Sequence, residues 1–393
     1  MHFDRRDFIL SGLALSGLYG CAPGRVKFSR ENKEADKGKR LIIVELSGGN
    51  DGLNTIVPFR DDNYKRNRPT LALKKSDIIK LNDETGINSN LSKLADLYFN
   101  GEVAVIQGVG YPSPSHSHFK STALWHVGGD GQKDFQEGWI ASAAQKFMPG
   151  AAAHGISFSD EMGQFFHKNG IFISARNVDQ LRRIKINASD TEKFQNDAVS
   201  LVAKRAHALR FSLKSLQKHL KNFHREPDMR QGELGHQLSE VIKVIQSGAP
   251  VPVFSVRLSG FDTHTNQYYR HRRLMRELSS AIVDARKELM NSGHWDNTII
   301  LTTSEFGRRP LENQSRGTDH GTASPHFIVG GKIRGGLIGD QPRLDNVDRN
   351  KDLEFNIDYR SIYNSIIEDY FSVQSRFIEF KDKRFNNLFQ RDI

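Results

Sequence analysis

Carboxylates and imidazoles recur in this chain where strand-like runs stop. Asp319 and His320 stand side by side in Arg316-Gly317-Thr318-Asp319-His320-Gly321-Thr322, beyond the apolar run Thr298–Thr303 and the turn Ser304-Glu305-Phe306-Gly307-Arg308. Asp262 and His264 follow the apolar run Pro252–Arg257 in Gly260-Phe261-Asp262-Thr263-His264. Side chains two apart in extended chain point the same way, so both can reach one ion. Asp51 follows the run Leu41–Leu46 in Gly48-Gly49-Asn50-Asp51. Hard oxygen and borderline nitrogen donors at several strand ends suit a divalent metal such as zinc, manganese, calcium or magnesium. His326, six residues beyond His320, is a further candidate ligand. Turn chemistry accounts for the glycines and aspartates but gives no reason for a histidine between them.

Ser115-His116-Ser117-His118-Phe119 falls at a predicted helix start. A hydroxyl there sits beside free backbone N–H groups and the positive helix end, which favour an anion. Ser117 is the candidate nucleophile and Ser115 the second choice; an N-cap explains a serine there with no catalysis. His118 is expected to bind substrate or metal, and Asn50 to contact substrate. Glu305 is a candidate ligand or general base. Arg308 could grip an anionic group in bidentate fashion, although a structural Glu–Arg pair fits the same residues. Gly48-Gly49-Asn50-Asp51-Gly52 lacks both the Gly-Lys-Ser/Thr ending of a P-loop and a dinucleotide fingerprint. His154, His167, His207, His219 and His224 show no ligand-like spacing.

The elements that must position these residues alternate. Strands are expected at Leu41–Leu46, Val103–Ile106, Pro252–Arg257, Thr298–Thr303 and His326–Val329. Helices are expected at Asn90–Asn100, from Ser115 or Ser117 to His126, at Trp139–Phe147, Tyr268–Met290 and Arg360–Phe371. Near-continuous apolar strands alternating with amphipathic helices predict an α/β/α sandwich with a doubly wound, mostly parallel sheet. In open sheets of this kind, ligands bind at the strands' C-terminal ends. Thr191–Phe223 and Gly232–Ile245 read as two helices of an insertion at about 190–247.

The chain has 393 residues, 37% of them hydrophobic and 26% charged, with a formal net charge of +10. The basic residues are dispersed and carry no recognition motif, so no nucleic-acid partner is expected. Residues 1–21 read as a targeting segment: Asp4-Arg5-Arg6-Asp7-Phe8-Ile9-Leu10 has the twin-arginine pattern and precedes an apolar run to Tyr19, too short to span a bilayer. Cys21, the sole cysteine, ends that run and is the expected lipidation site. The mature protein is then periplasmic, or anchored to the membrane by that lipid alone, with the twin-arginine machinery as its export partner. Residues 22–40 read as a linker, and 41–393 as the folded domain.

Five ordered motifs carry a resemblance: Leu46–Thr55, Gly108–Phe119, Gly260–His264, Ser304–Arg308 and Gly317–Thr322. Together they resemble the DUF1501 family of the alkaline phosphatase/sulfatase-like superfamily. The resemblance implies an alkaline-phosphatase-like fold and a one- or two-metal site at strand ends. It places Asp51, Asp262, His264, Asp319 and His320 among the ligands and a nucleophile near Ser117. No formylglycine motif is present. The function expected is an exported, metal-dependent hydrolase of phosphate or sulfate esters, acting on a small-molecule or glycan ester. The alternative is an envelope or glycan-binding module that keeps the fold without catalysis. A redox enzyme is disfavoured, because the domain has no cysteine and no dinucleotide fingerprint.

Overall fold

Strand β1 (Arg40–Ser47) sets the layering, because it is covered on both faces. Ile42, Val44 and Leu46 join one apolar cluster and Leu41 and Ile43 the other, as side-chain alternation requires. The computed structural model describes residues 38–130, 137–185, 197–229, 232–345, 352–383, 385 and 388–390. The expected signal at 1–21, Cys21 and linker residues 22–37 lie outside the described residues.

The main sheet runs β13 (Gly336–Ile338), β5 (Val103–Gly110), β12 (Ser324–Gly330), β9 (Thr298–Thr303), β1, β8 (Val253–Ser259), β6 (Gly155–Ser157) and β7 (Phe172–Ser174), with β14 (Ile357–Asp358) also paired to β5. Strand β1 pairs in parallel with β8 and β9. Strand β12 runs antiparallel to both β5 and β9. The sheet is therefore mixed and mostly parallel, the α/β architecture expected. A small antiparallel sheet, β2 (Ile56–Val57), β4 (Gly86–Asn88) and β3 (Ile78–Lys80), and a ribbon of β10 (Arg308–Glu312) with β11 (Thr318–His320) stand apart from it.

One face is covered by α2 (Ser92–Phe99), α5 (Val178–Arg183), α6 (Asp197–Leu220), α7 (Glu233–Gln246) and α8 (Gln267–Asn291). The other carries α3 (His118–Val127), α4 (Ala141–Phe147) and α9 (Tyr359–Ser365). Helix α1 (Asp62–Asn67) buries Tyr64 in a third cluster. The stretch expected as an insertion holds α6 and α7, and α7 packs into the sheet layer. Leu234, Leu238, Val241, Ile242 and Ile245 are wholly buried against the sheet layer. Their helical spacing makes a continuous apolar stripe, so α7 is the layer helix that leads into β8. Among the described residues no helix is long and apolar enough to cross a membrane.

A buried ion pair anchors the loop after β1. Asp51 and Arg68 have fully buried side chains, and Arg68 Nη1 donates to Asp51 Oδ1 at 2.9 Å and Oδ2 at 2.7 Å. Removing one partner strands the other charge in the core, which typically costs about 3–5 kcal/mol. Arg68→Met is expected to lower unfolding stability by that order in urea titrations. A loss under about 1 kcal/mol would mean that water reaches Asp51 and the pair is not a core element.

Candidate functional site

Several chain segments arrive at one edge of the main sheet. The parallel strands β1, β8, β9 and β5 end there. Because β12 runs the other way, the residues that lead into it arrive at the same edge. The β10–β11 ribbon therefore brings His320 up to the loops after β8 and β5. Arg308, with a fully buried side chain, pins these loops together. Its Nε donates to Gly49 O at 2.8 Å and its Nη1 to Thr318 O at 2.8 Å. Its Nη2 donates to Gly48 O, to Phe261 O at 3.1 Å and to Asp262 Oδ1 at 2.8 Å. Gly48 has φ +118°, and a Cβ there would stand 2.2 Å from Asp262 N, so only glycine allows this approach.

Around Asp262 three imidazoles converge. His264 Nε2 is 3.2 Å and His320 Nε2 3.3 Å from Asp262 Oδ1, and His118 Nε2 is 3.5 Å from Oδ2. The Nε2 atoms of His264 and His320 lie 2.8 Å apart. Ligand atoms of His118, Asp262 and His320 all fall within 4.8 Å of one another.

The opposite nitrogens assign the tautomers. His320 Nδ1 faces the carbonyl of His116 at 2.7 Å, His118 Nδ1 faces Glu305 Oε1 at 2.9 Å, and His264 Nδ1 faces Asp319 Oδ1 at 3.3 Å. Each partner accepts only, so with the proton on each Nδ1 the Nε2 atoms turn their lone pairs toward Asp262. His118 Nε2 is closed off from solvent and makes no hydrogen bond. Three lone pairs facing a carboxylate repel unless a proton or a cation sits among them. An Nδ1–H held by a carboxylate or carbonyl is also how metal-binding histidines are oriented. The donor set fits a divalent cation of the zinc or manganese type.

Charge in the site follows its contacts. Burial opposes the Asp262 charge, but the hydrogen bond and charge of Arg308 overcome it and hold the carboxyl down at about 2. The Glu305 hydrogen bond raises His118, while burial lowers His320. The Asn313 amide, donating to Asp319 Oδ1 at 3.1 Å, lowers Asp319.

Several expected site residues stand elsewhere. Asp51 does not join the cluster: Arg68 and the Gln267 amide occupy its oxygens in the core. Asn50 is fully buried, with Oδ1 to His271 Nε2 at 3.0 Å and Nδ2 to Thr55 at 3.0 Å, so its side chain is turned into the core. His326 is buried in the sheet with Nδ1 on Thr302 O at 3.0 Å. Arg308 spends its donors on main-chain carbonyls and Asp262 and is no free anion grip. Asp319 backs His264 from the solvent side rather than facing the cluster centre. Ser117 is the N-cap of α3, its Oγ accepting from Lys120 N at 3.4 Å. Glu305 is buried, with Oε1 shared between Gly48 N at 2.7 Å and His118. His118, read chiefly as a substrate contact, lies inside the cluster. The sequence reading passed over His116, whose Nε2 lies 2.8 Å from buried Asp352 and whose carbonyl orients His320. The period-two spacing of His116 and His118 was the available signal, the same as that of Asp262 and His264.

A family model described as a protein of unknown function (DUF1501) matches residues 108–358. No curated protein matches the chain. Solved structures align over most of it at low identity. A protein in the alkaline phosphatase superfamily from Vibrio parahaemolyticus is 12% identical, over 86% of this chain and 67% of that one, with a TM-score of 0.38. The C-terminal periplasmic domain of EcEptC from Escherichia coli, in complex with Zn, is 10% identical, over 88% and 85%, with a TM-score of 0.42. The PsFucS1 sulfatase from Pseudoalteromonas sp. is 11% identical, over 91% and 71%, with a TM-score of 0.39.

The displaced His326 generates a pH prediction. Burial pushes it down to about 4 from an ordinary 6.5. The unfolded chain therefore binds the extra proton between those values, and stability is full above pH 6.5 and falls as pH drops toward 4. The loss approaches about 3 kcal/mol at the low end. Urea titrations of His326→Phe against the parent are expected to show a shallower fall over this window. Parallel curves would place His326 in contact with water.

Proposed function

The chain belongs to the DUF1501 family, and on that premise we propose that it is an exported, metal-dependent hydrolase of phosphate or sulfate esters. The observation that carries this reading is the convergence of three imidazole Nε2 atoms on Asp262, each ring held from behind at Nδ1. His118, Asp262, His264 and His320 would hold the ion. When bound, a divalent cation supplies Lewis-acid stabilisation for charge developing on a phosphoryl or sulfuryl group.

The chain's own residues do the rest. Arg308 keeps Asp262 ionised, so the anionic ligand is ready at any pH above its depressed range. Glu305 holds the His118 proton at Nδ1 and thereby leaves Nε2 free. Protonation of His118 at Nε2 competes with the cation, so metal affinity is expected to fall with pH. Ser117, next to His118, remains the nucleophile candidate in this proposal. Its weak contact to Lys120 N, at 3.4 Å, is compatible with its release from the cap. Attack by water is the other route. The twin-arginine pattern and Cys21 support export to the periplasm, with a lipid at Cys21 as a membrane attachment.

The deciding measurement is elemental analysis of the exported protein before and after chelation and reloading, followed by an ester panel. About one equivalent of a divalent metal is expected. Asp262→Ala with His320→Ala is expected to abolish loading. Metal content unchanged in that double variant would sink the site. Glu305→Gln is expected to weaken metal affinity by about 10–100-fold through His118. Ser117→Ala separates the two routes: activity retained means water attacks, and activity lost with metal retained means Ser117 does. A protein that loads metal yet cleaves no phosphate or sulfate ester is a binding module.

A further inference from the structure

Helix α8 begins three residues beyond His264 and carries a basic row on its outer side. Its inner side buries His271, Leu274, Met275, Leu278 and Ile282. Arg270, Arg273 and Arg276 are exposed on the opposite side, at i, i+3 and i+6. Such residues are neighbours on a helix surface, and like charges there repel. None of the three guanidinium groups has an acidic partner among the described residues. The nearby Glu277 carboxylate accepts from Leu234 N at 3.1 Å on the α7 side instead. Of the arginines in the first half of the helix, Arg272 pairs with Asp77 at 3.2 Å, whereas these three like charges share the outer side. Tyr269, 80% exposed, lies among these arginines.

The row meets the rim of the candidate metal centre. Asn266 N donates to Ser315 O at 3.0 Å and Gln267 N to Arg316 O at 2.9 Å, which stitches the β10–β11 turn onto the start of α8. Asn313 of that turn holds both the His264 carbonyl, at 3.0 Å, and Asp319. Arg316, exposed and likewise without an acidic partner among the described residues, lies in the turn that is stitched to the start of α8. From Arg270 to Arg276 the helix advances about 9 Å, a span that one small ester cannot cover.

We propose that this face binds the remainder of a polyanionic polysaccharide, a glycan bearing several sulfate or phosphate groups, whose terminal ester enters the metal centre. Guanidinium groups match such oxyanions in bidentate geometry better than lysine does. The exposed Tyr269 ring offers an apolar platform with a polar tip for the sugar between anionic groups. The inference rests on the ester-hydrolase reading for the fate of the bound end, but the binding itself needs neither metal nor catalysis.

Its test is affinity for dextran sulfate across a salt series, with neutral dextran and a single-stranded oligonucleotide of matched charge as controls. The purified protein is expected to bind dextran sulfate and not dextran. The triple variant Arg270→Ser, Arg273→Ser, Arg276→Ser is expected to lose about tenfold or more in affinity, because charge-assisted contacts are removed, and to show a flatter salt dependence. Its thermal stability should stay equal or rise, which separates this loss from misfolding. Tyr269→Ala should weaken binding of dextran sulfate while leaving that of inorganic sulfate unchanged. Asp262→Ala with His320→Ala should leave dextran sulfate binding in place, so a failed metal centre and a failed binding face give different results. Equal affinity and salt slope in the triple variant would overturn the proposal. So would oligonucleotide binding as tight as dextran sulfate binding, which would assign the face to nucleic acid.

Discussion

A guanidinium sealed from water must find acceptors for its donors or it destabilises the fold. Arg308 finds them in the carbonyls of Gly48, Gly49, Phe261 and Thr318 and in the Asp262 carboxylate. These acceptors come from the loops after β1 and β8 and from the β10–β11 ribbon. One buried cation thus sets the spacing of three separate segments. It also explains the paired glycines after β1. A side chain at Gly48 would strike the backbone at Asp262, and one at Gly49 the ring of Phe306, 2.3 Å away. The glycines make room for the arginine's partners.

The histidine cluster inherits its order from this arrangement. Asp262 is ionised and directed because Arg308 holds one of its oxygens. Each imidazole is then held from its far side by a different element: His118 by Glu305 after β9, His264 by Asp319 of β11, and His320 by the main chain at His116 after β5. His116 is in turn tied to Asp352, which also accepts from Arg309 Nε at 3.1 Å. Such outer contacts fix both ring rotation and tautomer. A site built this way asks little of its exposed surface, and Asp262 and Asp319 can stay about half exposed without losing direction.

The same physics took Asp51 and His326 out of the expected ligand set. A carboxylate at a strand end is equally at home on a metal or on a buried arginine. Asp51 met Arg68, which lies 17 residues on in α1's C-terminal turn and also donates to Pro310 O at 2.8 Å. Nothing in the local sequence announces that meeting. His326 is an inward residue of β12, where strand alternation places it in the sheet beside Trp125, with ring centroids 5.0 Å apart.

Much of the architecture was legible because it depends on local chemistry. Apolar runs such as Leu41–Leu46 and Thr298–Thr303 can be stable only as covered strands, and the stripe on Gln267–Asn291 only as a layer helix. The three-residue strands β6 and β7 carry no period long enough to read, and α7 reads as part of an insertion because its partner faces are distant in sequence. For the site, residue type and spacing identified Asp262, His264, Asp319 and His320 as chemically charged positions and left their roles open. Only the tertiary structure decided that His118 enters from the loop after β5, that Glu305 and Asp319 stand behind imidazoles, and that Arg308 is a buried strut. The reason is reach: a hydrogen bond or ligand contact depends on atoms within about 3 Å, and His118 and Glu305 are brought that close across 187 residues of chain by the sheet alone.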